Sequence, residues 1–283
     1  MEGTVNAWAK INLSLDVTGV REDGYHTLDS VMHTVSLGDR ITLRTEQEPG
    51  IRLSTDREYL PVNEKNTAYR AAALFLEAVG RQDQGLRVSI EKHTPSRAGL
   101  GGGSADAAAA LKGLNRFWQI GYGLETLCEI GVKLGADVPF CLHDAPRRTQ
   151  GIGEILFPIE SRVFPLVLIQ PCEALSTKEV FTAYHSADIP SPDTQKAASA
   201  LALGDLIALK AAAGNVLESA SIPMRPQIAQ AKAALYENGA AFAQMTGSGS
   251  VVFGAFEAES AADRAFEILK NQYPVCIRTA TAL

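Results

Sequence analysis

Pro95-Ser96-Arg97-Ala98-Gly99-Leu100-Gly101-Gly102-Gly103-Ser104-Ala105-Asp106-Ala107-Ala108 decides how the rest of this 283-residue chain is read. Glycines at 99, 101, 102 and 103 fill four of five consecutive positions. An alternating apolar segment at 86–91 precedes them, and an alanine-rich helical segment runs from Ser104 to about residue 118. The order is strand, glycine loop, helix. Glycines leave backbone N–H groups unshielded, and a helix opening at the end of the loop turns its partial positive end into it, an arrangement that suits phosphate. The same composition also serves a turn that lets helix and sheet pack closely. Spelling narrows the nucleotide-binding options. No Lys precedes Ser104, as G-x-x-x-x-G-K-[ST] requires, and Ser104 stands where G-x-G-x-x-G from Gly99 needs its third glycine. Neither H-R-D nor D-F-G occurs.

Toward the N-terminus, Ile11, Leu13, Leu15 and Val17 alternate with Asn12, Ser14 and Asp16, the period of a half-buried strand. A turn is expected at 21–24, then strand over 28–45 broken by turn chemistry at Leu37-Gly38-Asp39, then a short strand at 51–54. Residues 66–79 read as a helix with Tyr69, Ala72, Ala73, Leu76 and Val79 on one face and Gly80 as its stop. Beyond the glycine loop a helix over 124–134 ends at Gly135, so that Asp137 follows a helix end rather than starting a helix, and 146–158 reads as a crossing between halves. The second half opens with a strand at 163–169 and a Ser176-Thr177-Lys178-Glu179 capping box, with helices through 237. A strand pair in 241–256 surrounds Thr246-Gly247-Ser248-Gly249-Ser250, followed by a helix at 261–271 and a strand at 275–279. The fold class is α+β with two domains, 1–158 and 159–283.

Composition excludes several functions. Twenty-six Lys and Arg against 32 Asp and Glu give a net charge of −6, with no basic footprint for nucleic acid or an anionic membrane. The apolar run at 164–169 falls far short of the roughly 20 residues of a membrane span. With no basic leader and no apolar h-region at the N-terminus, the cytoplasm is the expected location, or a plastid stroma in a plastid-bearing source. Cys128, Cys141, Cys172 and Cys276 are too scattered for a zinc knuckle or redox pair and read as small core residues. The five histidines show no metal-ligand spacing, so any metal would be a hard cation held with a bound phosphate.

The glycine segment resembles the phosphate loop of the GHMP small-molecule kinases. Ala9-Lys10-Ile11-Asn12-Leu13, Gly24-Tyr25-His26-x-Leu28, Gly135-Ala136-Asp137-Val138-Pro139-Phe140, Ser176-Thr177-Lys178-Glu179-Val180-Phe181 and Met245-Thr246-Gly247-Ser248-Gly249-Ser250 continue the match in order over almost the whole chain. They look like the branch of that family whose substrate is a cytidine-diphosphate ester of methylerythritol, on the non-mevalonate route to isoprenoid precursors. The resemblance implies a two-domain GHMP-kinase fold, an N-terminal nucleotide-binding domain and a C-terminal ferredoxin-like sandwich with the active site in the cleft between them. It also implies ATP with Mg²⁺ as cofactors, and phosphoryl transfer to a tertiary hydroxyl of the erythritol.

By the same resemblance Asp137 is the general base or orienting carboxylate and Lys10 the cation that lowers the hydroxyl's pKa. Lys10 lies among apolar neighbours, where an ammonium needs a partner. ATP-binding candidates are Pro95, Ala98, Gly99, Leu100, Gly101, Gly102, Gly103, Ser104 and Ala105, with Asn66 near the adenine and Ser104 a candidate metal ligand. Substrate-binding candidates are Asn12, Tyr25, His26, Thr177, Gly247, Ser248 and Gly249, with Tyr25 and His26 offering rings to stack on cytosine. Asp106 is assigned a helix-start electrostatic role. Two departures from the family pattern stand out: Asp144-Ala145-Pro146-Arg147-Arg148, whose arginines are left outside the site, and Asn215-Val216-Leu217-Glu218, where an acid commonly follows the asparagine. The alternatives are another GHMP kinase acting on homoserine or mevalonate, and a non-catalytic nucleotide- or metabolite-binding relative. A dinucleotide-binding oxidoreductase is disfavoured by Ser104. Monomer and homodimer stay open.

Overall fold

The protein's structure, a computed structural model, describes residues 2–185 and 190–282. Its chain forms two compact units, neither of them a single continuous stretch. The first takes in the N-terminal residues to Ala9, Leu37–Pro95 and Gly101–Asp144; the second takes in Lys10–Ser36, Ser96–Leu100 and everything from Ala145 onward. Two long paired strands, β1 (Glu2–Val20) and β2 (His26–Glu46), contribute residues to both.

In the first unit the C-terminal part of β2 pairs antiparallel with β4 (Gly85–Glu91), from Arg40 opposite Glu91 to Glu46 opposite Gly85, and β3 (Ile51–Thr55) pairs parallel with β4. β2 runs unbroken through residues 37–39, against the expected turn. Gly38 is there for close approach: a Cβ on it would sit 2.7 Å from the Ala7 carbonyl oxygen of β1. Against this sheet lie α1 (Thr67–Ala78) and α2 (Gly102–Phe117), and α3 (Leu124–Val132) and α4 (Val138–His143) follow. The buried faces of α1 and α2 are rich in alanine, with Ala68, Ala71 and Ala72 on one and Ala105 and Ala107–Ala110 on the other, and small side chains let helices approach closely. Gly113 is needed where α2 meets the sheet, because a Cβ would lie 2.5 Å from Leu43.

The second unit holds the β5 (Arg147–Gly151) and β6 (Ile155–Pro158) hairpin, so the expected crossing is ordered sheet: β5 pairs antiparallel with the N-terminal part of β2. A separate antiparallel sheet has the order β10-β7-β9-β8, formed by β7 (Pro165–Gln170), β8 (Phe242–Met245), β9 (Val252–Ala255) and β10 (Val275–Ala280). Helices α5 (Thr177–Ala183), α6 (Thr194–Leu203), α7 (Leu206–Ala212), α8 (Glu218–Met224), α9 (Gln227–Glu237) and α10 (Glu259–Leu269) complete it. One apolar core joins Val167 and Ile169 of β7, Val252 of β9, Ile228 and Leu235 of α9, and Leu269 of α10. Of the four cysteines only Cys141 is buried; the others are half-buried, and all are free thiols. Among the described residues no helix is long and apolar enough to cross a membrane.

Two polar groups in this frame, one half-buried and one buried, have consequences. Arg148 makes a two-pronged ion pair with Asp29, at 2.9 and 2.6 Å, and donates to Gln195, so its guanidinium is committed inside the unit. His33 is fully buried, and burial lowers its pKa from 6.5 to about 4. Its Nδ1 lies 2.8 Å from the Thr34 carbonyl, which can only accept, so Nδ1 carries a proton, the lowered pKa keeps the ring neutral at pH 7, and Nε2 lies 2.8 Å from the Ser161 hydroxyl oxygen. The folded pKa lies below the unfolded one, so the unfolded state takes up the proton first: the stabilisation is complete above about pH 6.5 and is lost as pH falls toward 4. Between pH 6.5 and 5 this amounts to about 2 kcal/mol. Urea unfolding of a His33→Gln variant is therefore expected to show a shallower acid dependence than wild type over that interval, and equal slopes would contradict the assignment.

Candidate active site

Sequence places polar residues on alternate positions of β1, and the structure buries them. Lys10, Asn12 and Ser14 are at most 4 % exposed, so the strand is covered on both faces rather than half-buried. Buried polar groups need partners, and here Lys10 and Asn12 find theirs in a network within the second unit, while the Ser14 hydroxyl has no hydrogen-bond partner among the described residues. Lys10 Nζ donates to Asn12 Oδ1 at 2.6 Å, Asn12 Nδ2 donates to Ser30 Oγ at 2.9 Å, and Ser30 Oγ donates to the Ser14 carbonyl at 2.6 Å. The Asn12 backbone N–H donates to Thr246 Oγ1 at 3.0 Å, and that hydroxyl donates to the Gly99 carbonyl at 3.1 Å.

Those last two bonds bring the glycine-rich segments together. The Lys10 N–H donates to the Leu100 carbonyl and the Val251 N–H to the Ala98 carbonyl. Gly99 has φ +79°, and a Cβ on it would fall 2.1 Å from the Thr246 carbonyl oxygen. Gly247 has φ +57°; its Cβ position lies 3.2 Å from the Gly99 carbonyl oxygen and 3.6 Å from Lys10 Nζ. Only glycine allows this approach. Thr177, the first residue of α5, shares a 3.0 Å hydrogen bond with Ser248, and Ser176 caps that helix by accepting from the Glu179 N–H, the Ser half of the expected capping box. Lys10, Asn12, Gly99, Thr177, Gly247 and Ser248 thus meet in one place.

Tyr25 and His26 lie at the turn between β1 and β2, closed by the Arg21 N–H donating to the Tyr25 carbonyl and by Gly24 at φ +84°. The Tyr25 ring is 63 % exposed, so it is not a core tyrosine. His26 packs against Phe181 of α5 with ring centroids 4.9 Å apart. Phe181, not singled out among the candidates, is partly buried against the apolar core of the second unit and meets His26 with the same ring.

In the first unit the glycine run becomes the start of α2. Gly101 is the left-handed N-cap at φ +66°, and the helix begins at Gly102, two residues before the expected Ser104. The N–H groups of its first turn have no intrahelical acceptors, which makes this end an anion site in form. Thr67 Oγ1, beside the Asn66 cap of α1, donates to the Gly103 carbonyl at 2.8 Å. The Asn66 amide is itself engaged, accepting from the Ala68 N–H and donating to the Pro61 carbonyl, both at 2.9 Å. Ser104 Oγ lies 3.9 Å from the Cβ position of Gly135, so the Gly135–Asp137 turn sits at the head of α2. Asp137 is the N-cap residue of α4, which corrects the expectation that it starts no helix. Its carboxylate does not cap the helix, and Pro139 sets the first turn.

Asp106 also differs from expectation. It lies beyond the first turn of α2, 4 % exposed, and pairs with Lys92 at 2.7 Å; Lys92 pairs in turn with Asp39 at 2.6 Å. Asp39 accepts further from the His93 and Thr94 N–H groups, both at 2.7 Å. Burial works against the Lys92 charge, yet the carboxylates of Asp106 and Asp39 hold its pKa above the ordinary value. Burial pushes the Asp106 carboxyl up to about 7 against the pull of Lys92, with Asp39 adding to the rise. Lys92 Nζ lies 3.2 Å from the Cβ position of Gly102, so this triad underpins the helix start. A lone Lys after a strand and an Asp after a glycine gave no sequence signal for it.

The models for the GHMP kinases N terminal domain and the GHMP kinases C terminal match residues 66–145 and 197–275. A protein of Alkaliphilus metalliredigens named 4-diphosphocytidyl-2-C-methyl-D-erythritol kinase is 42 % identical over 267 residues, 94 % of this chain and 91 % of that protein. One of the same name from Listeria monocytogenes serovar 1/2a is 38 % identical over 96 % of this chain and 92 % of its own length. A crystal structure of 4-(cytidine 5'-diphospho)-2C-methyl-D-erythritol kinase superposes with a TM-score of 0.86 at 33 % identity, covering 99 % of this chain and 100 % of that one. Homoserine kinase from Cytophaga hutchinsonii, at 19 % identity and TM-score 0.81 over 100 % of this chain and 95 % of that one, shares the fold. The chain belongs to the GHMP kinases and, within them, to the family of 4-diphosphocytidyl-2-C-methyl-D-erythritol kinases.

Proposed function

We propose that this chain transfers the γ-phosphoryl group of ATP to the 2-hydroxyl of 4-diphosphocytidyl-2-C-methyl-D-erythritol, in the methylerythritol phosphate route to isoprenoid precursors. The observation that carries the reading is the 42 % identity to a kinase of that name across 94 % of the chain. In this reading the first-turn N–H groups of α2 and the glycine run 99–103 hold the ATP phosphates, Asp137 takes the hydroxyl proton, and the Lys10 ammonium stabilises the oxygen as its charge develops. The bond broken joins the γ-phosphorus to its bridging oxygen, and ADP leaves. Mg²⁺ fits the donor chemistry. Among the described residues no group of three or more His, Cys, Asp or Glu side chains is placed to hold a metal, and Mg²⁺ with a nucleotide takes most of its ligands from phosphate and water. Ser104 is the protein ligand assigned to it; when bound, the ion neutralises phosphate charge.

Tyr25, exposed beside the His26–Phe181 ring pair, supplies the aromatic surface for cytosine. Replacing Tyr25 and His26 together by Ala is expected to raise KM for the cytidyl substrate at least about tenfold, as loss of base stacking worth ~1–3 kcal/mol predicts, with KM for ATP nearly unchanged. Equal changes in both constants would remove the base-recognition role. The direct test is ADP release with ATP, Mg²⁺ and the cytidyl substrate beside homoserine, mevalonate and a no-acceptor control. Turnover with the cytidyl substrate alone is expected; turnover with another alcohol, or with none, would overturn the reading.

A further inference from the structure

Asn215 stands in the Asn215-Val216-Leu217-Glu218 segment that departs from the family pattern, and no catalytic role is attached to it. Its side chain is 4 % exposed and fully employed. Nδ2 donates to two carbonyls, those of Met245 and Gly247, each at 2.8 Å, and Oδ1 accepts from the Leu217 N–H at 3.0 Å. The two carbonyls flank Thr246. Three residues on, Glu218 Oε1 accepts from the Met245 N–H at 2.9 Å, while its Oε2 is paired with Lys232 at 2.7 Å. Met245 is therefore held through its N–H by Glu218 and through its carbonyl by Asn215. The segment itself is tied to β1: the Leu15 N–H donates to the Gly214 carbonyl at 2.7 Å and the Val216 N–H to the Leu15 carbonyl at 3.1 Å.

A rigid Thr246 matters because of what its hydroxyl holds. It receives the Asn12 N–H and donates to the Gly99 carbonyl, and Asn12 Oδ1 is the acceptor for Lys10 Nζ. We infer that Asn215 is a positioning residue: by clamping the carbonyls on either side of Thr246 it sets the second glycine loop, and through Thr246 the placement of Asn12, Lys10 and Gly99. A primary amide suits the task, since it supplies two N–H donors to two carbonyls and an oxygen to a backbone N–H. The inference rests on the reading that Lys10 and the glycine segments serve phosphoryl transfer, where small displacements of reacting groups are costly.

The test uses the full-length enzyme with ATP, Mg²⁺ and the cytidyl substrate. Asn215→Asp keeps the shape but loses the donors. As a neutral acid it offers one O–H to the two carbonyls; once ionised it sets a carboxylate against them. Its kcat is expected to fall at least about tenfold relative to wild type, with the deficit deepening as pH rises from 6 to 9, and KM for ATP changing less than about threefold. Merely structural support would lower the melting temperature without adding a pH limb to kcat in the folded protein. Thr246→Val and Thr246→Ser provide the second measurement: Ser, which keeps the hydroxyl, should retain most of kcat, and Val should lose at least about tenfold. A folded Asn215→Asp enzyme with wild-type kcat across that pH range would overturn the inference, as would equal kcat for the Val and Ser variants. Should wild type itself turn over no cytidyl substrate, the functional reading fails instead, so the two failures are distinguishable.

Discussion

Asp137→Asn is expected to lower kcat by about 10²–10⁴-fold while ATP still binds within a fewfold of the wild-type affinity. The substitution preserves volume and leaves the α4 start intact, because the Asp137 side chain makes no capping hydrogen bond and the turn is held by the Val138 N–H on the Gly135 carbonyl. What is lost is the negative charge and the capacity to take a proton. An amide cannot serve as base to a tertiary hydroxyl, and the contribution of a positioned base is about 10²–10⁴-fold. The first turn of α2 is untouched, so the nucleotide keeps its backbone donors. Steady-state ADP release together with calorimetric ATP titration separates these effects. A variant with most of its kcat would remove Asp137 from the chemistry, and one that had lost ATP binding would show that its role is structural.

Gly99→Ala should be nearly as damaging for a different reason. Glycine is required there twice, by φ of +79° and by the 2.1 Å approach of a Cβ to the Thr246 carbonyl oxygen, so the two glycine segments would have to separate. Thr246 would then surrender its bond to the Gly99 carbonyl and move away from Asn12. The expected result is a loss of about 10²-fold in kcat with a lowered melting temperature. Gly80→Ala is the matched control: φ is +65° but nothing lies within 4 Å of the Cβ position, so it carries left-handed strain alone, about 1–2 kcal/mol of stability, and full activity. If the two variants behaved alike in kcat, the close approach of the glycine segments would have no catalytic meaning.

Local rules made much of this protein readable. The hydrophobic period found the strands at 86–91, 163–169 and 275–279 and the helix after residue 66, and Ser176 caps α5 through the Glu179 N–H, because each depends on residues close in sequence. The misreadings share one cause. Gly38-Asp39 has the chemistry of a turn, yet Gly38 is small to admit the Ala7 carbonyl and Asp39 is acidic to meet Lys92. Asp106 sits near a helix start, yet its partner comes from the end of β4.

The α+β class, the GHMP family and the glycine segments with Lys10 and Asp137 were carried by the order and spelling of short motifs, since backbone N–H exposure and residue type are local properties. Only the fold decided that the polar face of β1 is buried, that Thr246 joins Asn12 to Gly99, and that Asn215 grips both sides of Thr246. Those contacts link residues 30 to 234 positions apart, with 30 the span from Asn215 to Met245 and 234 that from Asn12 to Thr246. Hydrogen-bond satisfaction of buried groups is settled by which segments the packed core brings alongside one another, and no pattern within one segment encodes its distant partner.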